Sequence, residues 1–203
     1  MANPVEPALL CDVTGSMNDA AAPEAGSISK RQLATDIIRH VVTALAAKDS
    51  QAEDEAGGGG VLTVTFANNM ATEVGDLNPT NFDEKWSQVH WGGGTYIVPG
   101  LDMVADNFKD EFGAIPLDKQ PDLLLGIITD GALQDLDDAT AWLANAPANY
   151  YPYVLVVGYG PDHDHAVDQW TKVAAVHKNV SVEAVTKQVD ADAIAAKILA
   201  KIE

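Results

Sequence analysis

Apolar residues follow two alternating rhythms along the chain. Strand-length runs, apolar at consecutive positions, occupy Pro7 to Asp12, Val61 to Ala67, Leu123 to Thr129 and Tyr153 to Gly158. Between them lie longer stretches where apolar residues return every three or four positions. Ile28 to Lys48 places Leu33, Ile37, Val41 and Leu45 on one side of a helix. Ile97 to Phe112, Asp135 to Asn145 and His165 to Val176 read the same way, and Val180 to Val185 followed by Asp190 to Ile202 closes the series. A strand that is apolar on both faces needs cover on both, which a parallel sheet with helices on each side supplies. The pattern predicts an α/β fold: a doubly wound, mostly parallel, Rossmann-like sheet with helices on both faces. Ala71 to Leu77 is the exception, because it follows Val61 to Ala67 across Asn68-Asn69. Asparagine tolerates the left-handed backbone of a tight hairpin, so this segment predicts one antiparallel edge strand.

The stretch Asp49 to Gly60 is acidic and ends in four glycines, and it reads as a flexible loop. It does not divide the chain, because the first strand and helix could not bury their apolar faces alone. A single domain over residues 1–203 is expected.

Charge narrows the partners. Thirty Asp and Glu against twelve Lys and Arg leave a net charge of -18, and residues 1–170 hold 26 of the acids but only 7 of the bases. Such a surface lacks the cation density that phosphate backbones require, so nucleic acid is a poor partner. Cys11 is alone and sits in an apolar run, where it reads as a small buried hydrophobe. No run approaches a membrane span, and the N-terminus lacks a basic region followed by an apolar one. No membrane insertion and a cytoplasmic location are therefore expected.

In an open parallel sheet, ligands bind beyond the carboxyl ends of the strands. The first strand runs into Asp12-Val13-Thr14-Gly15-Ser16, the third parallel one into Asp130-Gly131, and Trp91-Gly92-Gly93-Gly94-Thr95 precedes the second long helix. Two carboxylates and three hydroxyls are thus expected at one edge. These are hard oxygen donors, suited to Mg²⁺ or Mn²⁺ rather than to zinc, which prefers His and Cys. The spacing of Asp12, Thr14 and Ser16 lets alternate side chains converge in a turn. Glycines 92 to 94 would let the chain approach an ion closely before presenting Thr95.

These residues, in this order, resemble the von Willebrand factor type A (VWA) domain with its metal-ion-dependent adhesion site, the fold shared with integrin inserted domains. The family pattern is Asp-x-Ser-x-Ser, then a Thr, then an Asp, matched here by Asp12, Thr14, Ser16, Thr95 and Asp130. The resemblance extends from the first strand to the last helix. Its one departure is Thr14 for the first serine, which keeps the hydroxyl. The resemblance implies that Thr14 and Ser16 bind the ion directly, Asp12 and Asp130 largely through water, and Thr95 by either route. It further implies a Mg²⁺ (or Mn²⁺) ion whose open position takes an acidic side chain of a partner protein, with no bond broken.

Asn18, Asp19, Trp91 and Tyr96 flank these positions and are candidates for a partner-contact rim, aromatic anchors being enriched at interface hot spots. His163 and His165 follow the Tyr153 to Gly158 strand, where a solvated helix start capped by Asp162 or Asp164 is the expected reading. Two other classes compete with an interaction module. A haloacid-dehalogenase-like phosphohydrolase would use Asp12 as nucleophile, but that family wants an Asp where Thr14 stands. A metal-independent scaffold would carry the same fold with a vestigial site. No Gly-x-Ser-x-Gly elbow or phosphate-binding glycine loop is present, and no enzymatic activity is expected.

Overall fold

The computed structural model describes residues 3–49, 59–185 and 191–201. Most of the predicted loop Asp49 to Gly60 lies outside these, as do both ends of the predicted helix Asp190 to Ile202. The strands are β1 (Val5–Asp12), β2 (Val61–Ala67), β3 (Met70–Leu77), β4 (Asp122–Thr129), β5 (Tyr150–Val157) and β6 (Ser181–Val185). The helices are α1 (Lys30–Asp49), α2 (Phe82–Trp86), α3 (Val98–Phe112), α4 (Leu136–Asn145), α5 (Pro161–Ala174) and α6 (Ala191–Leu199). Among the described residues no helix is long and apolar enough to cross a membrane.

One six-stranded sheet runs in the order β3-β2-β1-β4-β5-β6. Every pairing is parallel except β2 with β3, the hairpin at the edge. Both residues of its turn hold positive φ, 52° at Asn68 and 57° at Asn69, the backbone that the two asparagines suggest. Side chains alternate across the sheet. Leu9 and Cys11 of β1 face the layer of α1 and α6, whereas Ala8 and Leu10 face α3, α4 and α5. All eight residues of β4 are buried, as a central strand covered on both sides requires. Each fully buried Leu, Ile or Val contributes about 1.5–3 kcal/mol through lost water contact, so both layers are strongly held.

This strand order has a topological consequence. The chain leaving β1 turns to α1 on one face, and the chain leaving the adjacent β4 turns to α4 on the other. The two loops diverge and leave a crevice at the carboxyl end of the sheet, which is where open α/β sheets bind their ligands.

Two elements depart from the sequence reading. The short helix α2 is absent from it, being a single turn too brief to establish a period. Helix α5 begins at Pro161, four residues earlier than expected, since proline at the first turn lacks only an N–H that would go unused there. Gly160 occupies the N-cap, and neither Asp162 nor Asp164 makes the predicted capping bond; both lie in the first turn, where their charge suits the helix dipole.

Candidate metal centre

The crevice between the ends of β1 and β4 gathers the predicted donors. Asp12 ends β1 fully buried; its Oδ1 accepts the Thr14 N–H at 2.8 Å and its Oδ2 accepts the Thr129 hydroxyl at 2.6 Å. These bonds fix the carboxylate and fold the chain directly after it. A 3₁₀ turn, Gly15–Asn18, then lifts Ser16 to the surface. The Thr14 and Ser16 hydroxyls are 3.3 Å apart, and Ser16 donates to Asp130 Oδ1 at 3.0 Å, joining the β1 loop to the β4 loop.

Thr95 arrives on a third loop held from several sides. The Gly92 N–H donates to Val13 O at 2.7 Å, and Gly15 N–H to Gly93 O at 3.3 Å. Asn68, in the hairpin turn, donates its N–H to Gly94 O and accepts the Gly94 N–H on Oδ1. A Cβ on Gly93, whose φ is +99°, would lie 2.0 Å from Asn68 Oδ1. The close approach at Gly93 is therefore to this clamp. The Thr95 hydroxyl faces Gly131, where a Cβ would lie 2.9 Å from its Oγ1. Thr95 thus stands beside the residue that follows Asp130.

Asp135 completes the frame. It precedes α4 but makes no side-chain cap there; instead its carboxylate accepts the Ile97 and Val98 N–H groups at 3.1 and 2.8 Å, capping α3 across the crevice. Two charge-assisted bonds at the positive end of a helix are stabilising. Asp135→Ala is expected to cost about 1–2 kcal/mol, read as a lower urea midpoint, with Asp135→Asn costing less because one acceptor remains.

Burial pushes the Asp12 carboxyl up to about 6, the neighbouring Asp130 charge adding to the shift and the bonds from Thr129 and Thr14 opposing it. A buried carboxylate beside a second one is an electrostatic deficit that a cation would relieve. The donor set fits a small hard ion: three hydroxyls and two carboxylates on three loops braced against one another. Among the described residues no three His, Cys, Asp or Glu side chains cluster as metal ligands, so the candidate donors are hydroxyls together with carboxylates.

A residue absent from the sequence reading stands in the middle of this arrangement. Lys30 opens α1, and its ammonium donates to Asp130 Oδ2 at 2.5 Å. A cleft of about 690 Å³ opens here, lined by Ser16, Asp19, Lys30, Thr95 and Asp130 on one side and by the start of α5 on the other. Asp12 is fully buried and does not line it, which weighs against a phosphoryl-acceptor role. His163 turns inward, its Nε2 3.1 Å from Val156 O, while His165 is exposed.

Of the four candidate rim residues, Asn18 and Asp19 are exposed and Trp91 and Tyr96 are half-buried. Trp91 meets Trp86 edge-on at 6.0 Å and lies under the Arg31 guanidinium at 4.7 Å. It lines a separate groove of about 610 Å³ against the hairpin, and only Asp19 of the four lines the cleft.

No protein-family model matches the chain, and no curated protein matches it by sequence. Solved structures do match in fold. The VWA domain of SpRpn10 superposes with a TM-score of 0.66 at 9% identity, covering 98% of this chain and 95% of that one. The fold is that of a von Willebrand factor A domain. The vWF domain of the type V pili tip protein Mfa5 from Porphyromonas gingivalis gives 0.61 at 13% identity, covering 100% and 97%. An aerotolerance-related membrane protein from Bacteroides fragilis gives 0.59 at 13% identity, with 98% of each chain covered. In the VWA fold as this chain builds it, all five donor positions fall at the carboxyl end of the sheet.

Proposed function

We propose that this chain is a divalent-cation-dependent protein-interaction module. Asp12, Thr14, Ser16, Thr95 and Asp130 would hold Mg²⁺ or Mn²⁺, and a partner protein would offer an acidic side chain to the site. The observation that carries this reading is the bridge from Ser16 to Asp130 at 3.0 Å, which joins two of the three donor loops at the mouth of the cleft. The VWA domains that share the fold support it by analogy, one of them being part of a pilus tip protein.

Each residue has a definable task. Thr14 and Ser16 supply neutral oxygens, which leave most of a cation's charge uncompensated. Asp12 orients the turn through Thr14 and supplies negative charge from beneath. Thr95 and Asp130 close the opposite side. When bound, a divalent ion supplies a Lewis-acidic position open to a carboxylate oxygen. Asn18, Asp19, Trp91 and Tyr96 surround the donor loops and are proposed to set which acidic partner is accepted. No residue is assigned a bond-breaking role.

Calorimetric titration of EDTA-stripped protein with Mg²⁺ and Mn²⁺ tests the reading. One-site binding is expected, weakened roughly tenfold or more by Asp130→Ala, a loss typical of site-organising residues. Adding acetate as a minimal carboxylate is expected to tighten the ion's binding. Silence in the wild type up to millimolar metal, with the protein folded, would leave the scaffold reading in its place.

A further inference from the structure

We propose that Lys30 is a built-in competitor for the cation site, an ammonium that neutralises Asp130 until a divalent ion displaces it. The inference rests on the metal-site reading above and adds what governs it.

Three observations carry it. The Lys30 ammonium is 2.5 Å from Asp130 Oδ2, and the two side chains are 13% and 1% exposed, so this is a shielded ion pair rather than a surface one. Lys30 is also held in position: its backbone N–H donates to Asp19 O at 2.9 Å, and its stem passes Gly158, where a Cβ would lie 3.2 Å from Lys30 Cε. Finally, a cation in the first turn of a helix opposes the helix dipole, so its placement at the start of α1 needs a compensating anion. Asp130 is that anion.

The consequence is electrostatic. Asp130 divides its two oxygens between the Ser16 hydroxyl and the Lys30 ammonium. An ion drawn to the hydroxyls and to Asp130 meets a fixed positive charge a few ångströms away, in surroundings that screen it poorly. Divalent ions therefore bind more weakly than the donor set alone would allow. Displacing the ammonium frees it at the cleft wall, where an incoming partner carboxylate can take it as a counter-ion. Lys30 thereby couples entry of the ion to arrival of the acidic partner.

The test compares wild type, Lys30→Met and Lys30→Met/Asp130→Ala, all stripped with EDTA and titrated calorimetrically with Mg²⁺, with near-UV circular dichroism as the check on folding. Methionine keeps the apolar stem and removes the charge. Lys30→Met is expected to bind Mg²⁺ at least tenfold more tightly than wild type, with the gain lost in the double variant. It is also expected to melt lower than wild type in EDTA, where Asp130 has lost its partner, and to recover on adding Mg²⁺. Lys30→Gln, which can still donate to Asp130, covers the case in which methionine does not fold without metal. Equal or weaker Mg²⁺ binding in a folded neutral variant, beside a wild type that binds, would overturn the competitor role and leave the metal site standing. Binding in the neutral variant alone would support the role and overturn metal dependence of the wild type. Binding in none would overturn both.

Discussion

Asp12→Asn is expected to raise the melting temperature of the EDTA-stripped protein at pH 7.5 by roughly 6–12 °C, while weakening its Mg²⁺ binding. The wild-type carboxyl is raised from an ordinary 3.8 to about 6, chiefly by burial. The folded state therefore holds its proton more tightly than the unfolded chain does. Below about 3.8 the group is protonated in both states and costs nothing. As pH rises to about 6 the unfolded chain ionises first and the cost grows, reaching its full value above 6, of order 3 kcal/mol at pH 7.5 and about half that at pH 5. Asparagine removes the charge and keeps the bonds: its carbonyl can accept from Thr14 N–H and its amide can donate to the Thr129 hydroxyl. The gain in stability should thus shrink as pH falls, and paired melts at pH 5 and 7.5 read it directly. A variant that melts lower than wild type at pH 7.5 would show that the buried charge is already compensated in the metal-free protein. The proposed cation site draws on this retained charge, so the same substitution should reduce Mg²⁺ affinity by at least roughly tenfold.

The sheet was readable because its central strands are apolar on both faces, and a parallel sheet covered by helices on each side accommodates β4 in full burial. The hairpin was readable because Asn68 and Asn69 are suited to the positive φ that the turn imposes. The placement of the five candidate residues at one end of the sheet was readable from motif and strand ends, since each sits at a carboxyl terminus or on the loop beside it. The contacts that organise them were not. Asp135 looks like the cap of its own helix, and only the tertiary path of the chain brings it to the start of α3. Thr129 looks like the last residue of an apolar strand, although its hydroxyl fixes Asp12. Lys30 and Arg31 resemble the ordinary charged face of a helix, yet two cations in a first turn run against the dipole, and that conflict was a legible signal of partners elsewhere. Each has one: Asp130 for Lys30, the Trp91 ring for Arg31.

Trp170→Ala is expected to cost about 3–5 kcal/mol of stability, the range for removing a buried aromatic ring, whereas Trp170→Phe should cost much less. Trp170 is fully buried in the third turn of α5, packed in the layer that covers β4 and β5 with α3 and α4. Its indole Nε1 finds no hydrogen-bond partner among the described residues. Phenylalanine loses part of the ring's contact area but also removes a buried donor that folding leaves unsatisfied, and the second effect offsets part of the first. The two substitutions therefore separate packing from polarity, and urea denaturation of both gives the comparison; equal losses would mean that the indole N–H is satisfied in solution. The helix they perturb is connected to the proposed metal centre. Gln169, beside Trp170, accepts the Leu133 N–H on its Oε1 at 3.0 Å, tethering the loop that begins at Asp130. The opening turn of the same helix forms the far wall of the cleft. Loosening α5 from the sheet should consequently lower Mg²⁺ affinity in Trp170→Ala under conditions where it remains folded, and leave it near the wild-type value in Trp170→Phe. At the proposed site, ion affinity at the rim would then report on packing in the layer below, because the candidate donors are held by loops whose positions that layer sets.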